Sequence, residues 1–165
     1  MPERSAAQLY AAFERRVKGL RQVRESGERA VTAAVLRDRE LNHLFESTFL
    51  NLVTSFDAFQ EDLFYSSILG RVEITTVRPI LSFRNRAEAT RFVEATEHSP
   101  FLTWSKVRDS IARAKRFLVG GRPFSRLERR DRDATVHRTV VVVRNAIAHR
   151  SGNAWDKFLG LPMSG

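Results

Sequence analysis

Residues 144–149 read Arg-Asn-Ala-Ile-Ala-His, which sets a guanidinium five residues ahead of an imidazole. Arginine stays charged and can grip two phosphate oxygens in one plane. Histidine titrates near neutrality, so it can take up or release a proton. Those two groups suffice to cleave RNA without a metal. The 2′-hydroxyl attacks its own phosphorus, a base takes the hydroxyl proton, an acid protonates the departing 5′-oxygen, and positive charge steadies the phosphorane. A helix C-terminus favours a protonated histidine by roughly 0.3–1 kcal/mol, while the nearby arginine opposes it. Asn145, between them, could bond the phosphate, hold the histidine's orientation, or stand as a surface amide.

The spacing alone discriminates poorly. The chain has 24 arginines and four histidines, and every histidine has an arginine five to seven residues before it: Arg37 and His43, Arg91 and His98, Arg132 and His137, Arg144 and His149. Context separates them. Arg144 and His149 close the last long apolar segment, with an Ile-Ala spacer expected to be buried and Ser151-Gly152 just beyond. The other three pairs lie in charged or irregular sequence.

Arginine also dominates the charge. Lysine plus arginine total 28 against 19 acids, a net charge of +9, and a surface of that sign favours polyanions. The absence of cysteine removes disulfides, thiol nucleophiles, cysteine zinc sites and iron–sulfur clusters. The histidines are too scattered to suggest a metal cluster, and no glycine-rich phosphate loop, Gly-x-Ser-x-Gly or His-Glu-x-x-His occurs. No metal site and no cofactor are therefore expected. The longest aliphatic run is 140–143, far short of a membrane span, and no apolar stretch follows the N-terminus, so the expectation is a soluble cytoplasmic protein.

The elements that must position the pair read as helices. Residues 5–25 carry Leu9, Tyr10, Phe13, Val17 and Leu20 at amphipathic spacing, punctuated by Ser26-Gly27. The strongest pattern spans about 41–69, with apolar residues at helical spacing for more than seven turns until Gly70, and predicts a long central helix. Its phenylalanines share one stripe and read as packing. A short extended piece is possible at 72–76, a short helix at 87–95, and a further helix at 104–118 closed by Gly120-Gly121. Residues 139–143 are β-branched throughout, which favours a strand. Val136, Val140, Val143 and Ile147 nevertheless keep helical spacing, and a lone strand would have no sheet to join, so 134–150 is expected to be helical. The expectation is an all-α, single-domain helical bundle: an N-terminal amphipathic helix at 1–27, a main helical domain at 28–158 and a flexible tail at 159–165.

The form Arg144-Asn145-x-x-x-His149 near a C-terminus resembles the signature of the HEPN superfamily, small helical domains many of which are metal-independent ribonucleases. The order of elements is similar, with a long amphipathic helix well before the motif helix. Within it, Ser55-Phe56-Asp57-Ala58-Phe59 resembles a Ser-aromatic-acid-x-aromatic pattern of the RiboL-PSP-HEPN group. The resemblance spans roughly 28–158 and implies that Arg144, His149, Asn145 and Asp57 form the catalytic set. Asp57 would orient Arg144 or His149 by a charge-assisted hydrogen bond, or else serve as a helix-pairing acid beside Glu61. Arg126, Arg129, Arg130, Arg132, His137 and Arg150 would form a basic rim for the RNA backbone, or simply a solvated face.

Five helical residues turn through 500°, leaving Arg144 and His149 about 140° apart. One rigid helix does not aim both at one phosphate. Two such helices across a two-fold axis could, and the resemblance likewise implies a homodimer with a composite site. It implies a bacterial toxin–antitoxin, phage-defence or stress-response setting with a partner protein. HEPN toxins neutralised by nucleotidylation carry a tyrosine two residues after the histidine, where this chain has Ser151, so a different antitoxin is expected. A module that binds RNA or protein without cleaving is the alternative. The ranking among the four pairs is testable: His149→Ala and Arg144→Ala should each slow RNA cleavage by at least about a hundredfold, and His137→Ala should change it little. Loss on removing His137, with His149 dispensable, would select the other pair.

Overall fold

A computed structural model describes residues 5–73, 76–98, 102–129, 131–149 and 151–161, without the side chains of residues 128, 129, 131–134 and 137. Among them are six α-helices: α1 (Ala6–Thr32), α2 (Asp38–Ile68), α3 (Arg86–Glu97), α4 (Val107–Phe117), α5 (Asp131–His149) and α6 (Gly152–Leu159). Two 3-10 turns, Val119–Gly121 and Phe124–Arg129, link α4 to α5. No strand occurs among the described residues; the one extended pairing is a single bridge between Pro79 and Leu118. The all-helical expectation holds.

α1 and α2 form an antiparallel hairpin. Near its base Phe13 stacks on Phe59 with ring centres 5.0 Å apart and lies 5.9 Å from Phe56. Near its tip Gly27 faces Leu41 and Leu44. That contact explains why α1 runs straight through Ser26-Gly27, where the sequence suggested a break. The missing side chain lets the two helices approach, since a Cβ at position 27 would collide with the end of the Leu44 side chain. Ser5 starts α1, accepting from the Gln8 N–H while the Gln8 side chain accepts from the Ser5 N–H. α2 ends at Leu69 and Gly70, the glycine taking a φ of +69° that a side chain would resist.

The core gathers on the C-terminal half of α2. Phe64, Tyr65 and Ile68 bury against Ala89 and Val93 of α3, Ile111, Ala114 and Phe117 of α4, and Trp104, Leu118 and Phe124. α3 is tied to α2 by Arg86, whose guanidinium forks between Glu61 and Asp62 and lies 4.9 Å over the Tyr65 ring. Burial pulls the Arg86 pKa down, but the hydrogen bonds and charges of Asp62 and Glu61 outweigh it and raise the value. Burial pushes the Tyr65 phenol up.

Two local expectations change. The helix expected from 104 begins at Val107, because Trp104 sits in the core ahead of it as a plug. Residues 74 and 75 of the suggested extended piece lie outside the described residues. Leu159, placed in the tail by the sequence reading, closes α6, which was not anticipated; Ser151 caps that helix by accepting from the Ala154 N–H, and Trp155 meets Phe158 edge-on at 5.2 Å. Eight residues are too few for periodicity to announce a helix. Residues 162–165 of the tail lie outside the described residues. Among the described residues no helix is long and apolar enough to cross a membrane.

Phe64 is fully buried, with aromatic neighbours Tyr65, Trp104, Phe117 and Phe124 within 6.2 Å. Phe64→Ala should cost about 3–5 kcal/mol by denaturant unfolding, the range for a phenylalanine truncated in a packed core. A loss under about 1 kcal/mol would mean that the site collapses to fill the void.

Candidate active site

The β-branched run 139–143 is helical. Strand propensity yields to context, and packing beside α2 and against α6 supplies what isolated helix formation lacks. The helix is lightly buried. Residues 139–145 are half-exposed whichever way they point, and only Ala146 among the described side chains of α5 is fully enclosed. The Ile-Ala spacer is thus less buried than expected, with Ile147 half-exposed and Ala148 exposed.

Arg144 and His149 sit in the C-terminal part of α5, ahead of α6. Arg144 is half-buried, and one guanidinium nitrogen donates to the side-chain oxygen of Asn145 at 3.1 Å. This bond between neighbours limits where the guanidinium can swing. Asn145 thus meets the arginine through its oxygen, a contact that the sequence reading, which offered it to the phosphate, to the histidine or to solvent, did not include. His149 is exposed in the last turn, free of the core and open to solvent. Such a placement suits proton exchange with a ligand.

Asp57 lies one and two turns before Gln60 and Phe64 on the core-facing stripe of α2, half-buried. Its described hydrogen bond comes from the Ser105 hydroxyl at 3.0 Å, so the loop before α4 holds this carboxylate. Beside it Gln60 is almost fully buried, and its amide nitrogen donates to the Trp104 carbonyl at 3.0 Å. The Ser110 hydroxyl donates to the same carbonyl at 3.2 Å. Asp57, Gln60, Ser105 and Ser110 therefore make a polar seam between α2 and the start of α4. Sequence reasoning missed Gln60 and Ser105. The signal for Gln60 was present, since an amide at a core position of an otherwise apolar stripe must be matched by a partner.

The basic rim is less uniform. Arg126 is exposed on the turn Phe124–Arg129 that leads into α5. The backbone of Arg129 is described on that turn, and those of Arg132 and His137 on α5, without their side chains. Arg130 and Arg150 lie outside the described residues. No family model, curated protein or solved structure matches the chain. Among the described residues no group of three or more histidines and acids could hold a metal ion.

Proposed function

We propose that this chain is a HEPN-like endoribonuclease, independent of metal and active as a homodimer, working in a bacterial toxin–antitoxin, phage-defence or stress-response system with a neutralising partner protein. The observation that carries the proposal is the end of α5, where a half-buried arginine steadied by Asn145 is followed by an exposed histidine in the last turn. In the reaction, His149 exchanges the proton of the 2′-hydroxyl or of the leaving 5′-oxygen. Arg144 neutralises the phosphorane. The new bond joins the 2′-oxygen to phosphorus, the bond to the 5′-oxygen breaks, and the products are a 2′,3′-cyclic phosphate and a 5′-hydroxyl. Asp57, half-buried and accepting from Ser105, serves to orient Arg144 or His149 and not to carry the proton. The half-exposed valines of α5 and the exposed Val136 supply apolar surface for a second copy, which is what the angular offset of the two groups requires.

Cleavage should persist in excess EDTA, and 2′-deoxy substitution at the scissile nucleotide should abolish it. Activity lost to chelation and restored by magnesium would defeat this mechanism.

A composite site makes a further demand. Homodimers of Arg144→Ala or of His149→Ala should be inactive, yet unfolding the two together and refolding the mixture should restore activity toward about a quarter of wild type, because half the dimers are mixed and each then holds one complete site. No recovery, with mixed dimers confirmed by mass, would place both groups in one chain.

A further inference from the structure

A second concentration of arginine and apolar surface lies away from α5, around α3. Four large apolar side chains are unusually open there: Ile80, Leu81, Phe92 at 47% and Val119 at 54%. Backbone pairing gathers them. The Ile80 N–H donates to the Phe117 carbonyl and the Val119 N–H to the Arg78 carbonyl, each at 2.8 Å. The Phe117 ring in turn meets Phe92 edge-on at 6.2 Å, and Phe83 meets Phe92 at 5.5 Å. Phe92 is thus braced on two sides by rings while almost half of it faces solvent. It borders an open hollow of about 570 Å³ lined by Arg84, Asn85, Ala87, Glu88, Arg91 and Phe92.

The charges around this hollow are unequal. Arg84 and Arg91 are exposed, and neither side chain has an ion-pair or hydrogen-bond partner among the described residues. They contrast with Arg86, which is spent on Glu61 and Asp62, and with Arg113 and Arg116, which face Glu97. The acid of the hollow is engaged, since the Glu88 carboxylate accepts from the Arg84 N–H at 2.8 Å. Asn85 is engaged as well, its side chain capping α3 by accepting from the Glu88 N–H at 3.0 Å. Two free guanidinium groups therefore flank an exposed aromatic ring. A protein surface of ordinary apolar character has no need of that charge, and a duplex offers no unpaired base to the ring.

We infer that the Arg84–Arg91–Phe92 face binds single-stranded RNA, with a base stacked on Phe92 and neighbouring phosphates on Arg84 and Arg91. Stacking tolerates any base, so the face adds affinity with little sequence preference. It acts as a hold on the strand, separate from the bond-breaking groups on α5, and does not depend on cleavage.

The test uses the full chain carrying His149→Ala, so that cleavage is removed and binding is read alone. A short fluorescein-labelled oligo(U) serves as probe, with fluorescence anisotropy followed against salt. Phe92→Ala should weaken binding about tenfold. The double variant Arg84→Gln, Arg91→Gln should lower the slope of log affinity against log salt by about 1.4, or about 0.7 for each single-strand phosphate that is no longer neutralised. All three positions are exposed, and unchanged thermal melting would confirm that the fold is kept. Affinity and salt slope unmoved by both variants would overturn the inference, and so would equal loss for a duplex of the same length. A cleavage failure of the parent protein, with these binding shifts intact, would count against the ribonuclease reading and leave this face standing.

Discussion

The fold depends on one aromatic junction, the seating of Phe64 between Trp104, Phe117 and Phe124. Burying such a ring contributes about 1.5–3 kcal/mol, and each favourable aromatic pair adds about 0.5–1.5 kcal/mol. More than energy is at stake, because the partners come from separate parts of the chain. α2 supplies Phe64, the loop before α4 supplies Trp104, α4 supplies Phe117, and the turn leading to α5 supplies Phe124. Loosening this contact would release the loop that holds Asp57 and the turn that sets the start of α5.

Trp104 has a second task. Its carbonyl accepts from both Gln60 and Ser110, and its ring lies under the Arg113 guanidinium at 4.4 Å. Arg113 is almost wholly buried, and desolvation lowers its pKa despite the opposing charge of Glu97. The arrangement is like that at Arg86, where an arginine also lies over a ring and is matched by acids from another helix. Two of the many arginines are therefore structural clamps, a role that Lys could not fill because only the planar guanidinium both stacks and forks. The net charge overstates what remains for ligands, and the free arginines are the informative ones.

The hairpin of α1 and α2 and the motif helix differ in how they are held. α1 lies along α2 through Leu9, Phe13 and the close approach at Gly27. α5 has a smaller enclosed contact, centred on Ala146, and keeps its valines half in water. A helix so placed is stabilised by whatever covers it, and its ends can carry groups that the core would bury.

Amphipathic periodicity read from residue order reveals most of α1, the long helix α2, most of α4 and the helical state of α5 despite its β-branched run. It reveals these because a 3.6-residue repeat must put its apolar face somewhere, whatever the fold. The pair Arg144 and His149 stands apart from three similarly spaced pairs only by its place in the sequence, and Asp57 only by the pattern around it. Tertiary contact decided the rest. Gly27 could read as a break until Leu44 occupied the space where its side chain would stand. Trp104 could read as the first turn of a helix until the core claimed it, and Ser151 as a stop until it capped α6. Above all, Asp57 found Ser105, 48 residues along the chain. A hydrogen bond of one side chain is chosen among several within reach, and only the packed neighbours determine which of them arrives.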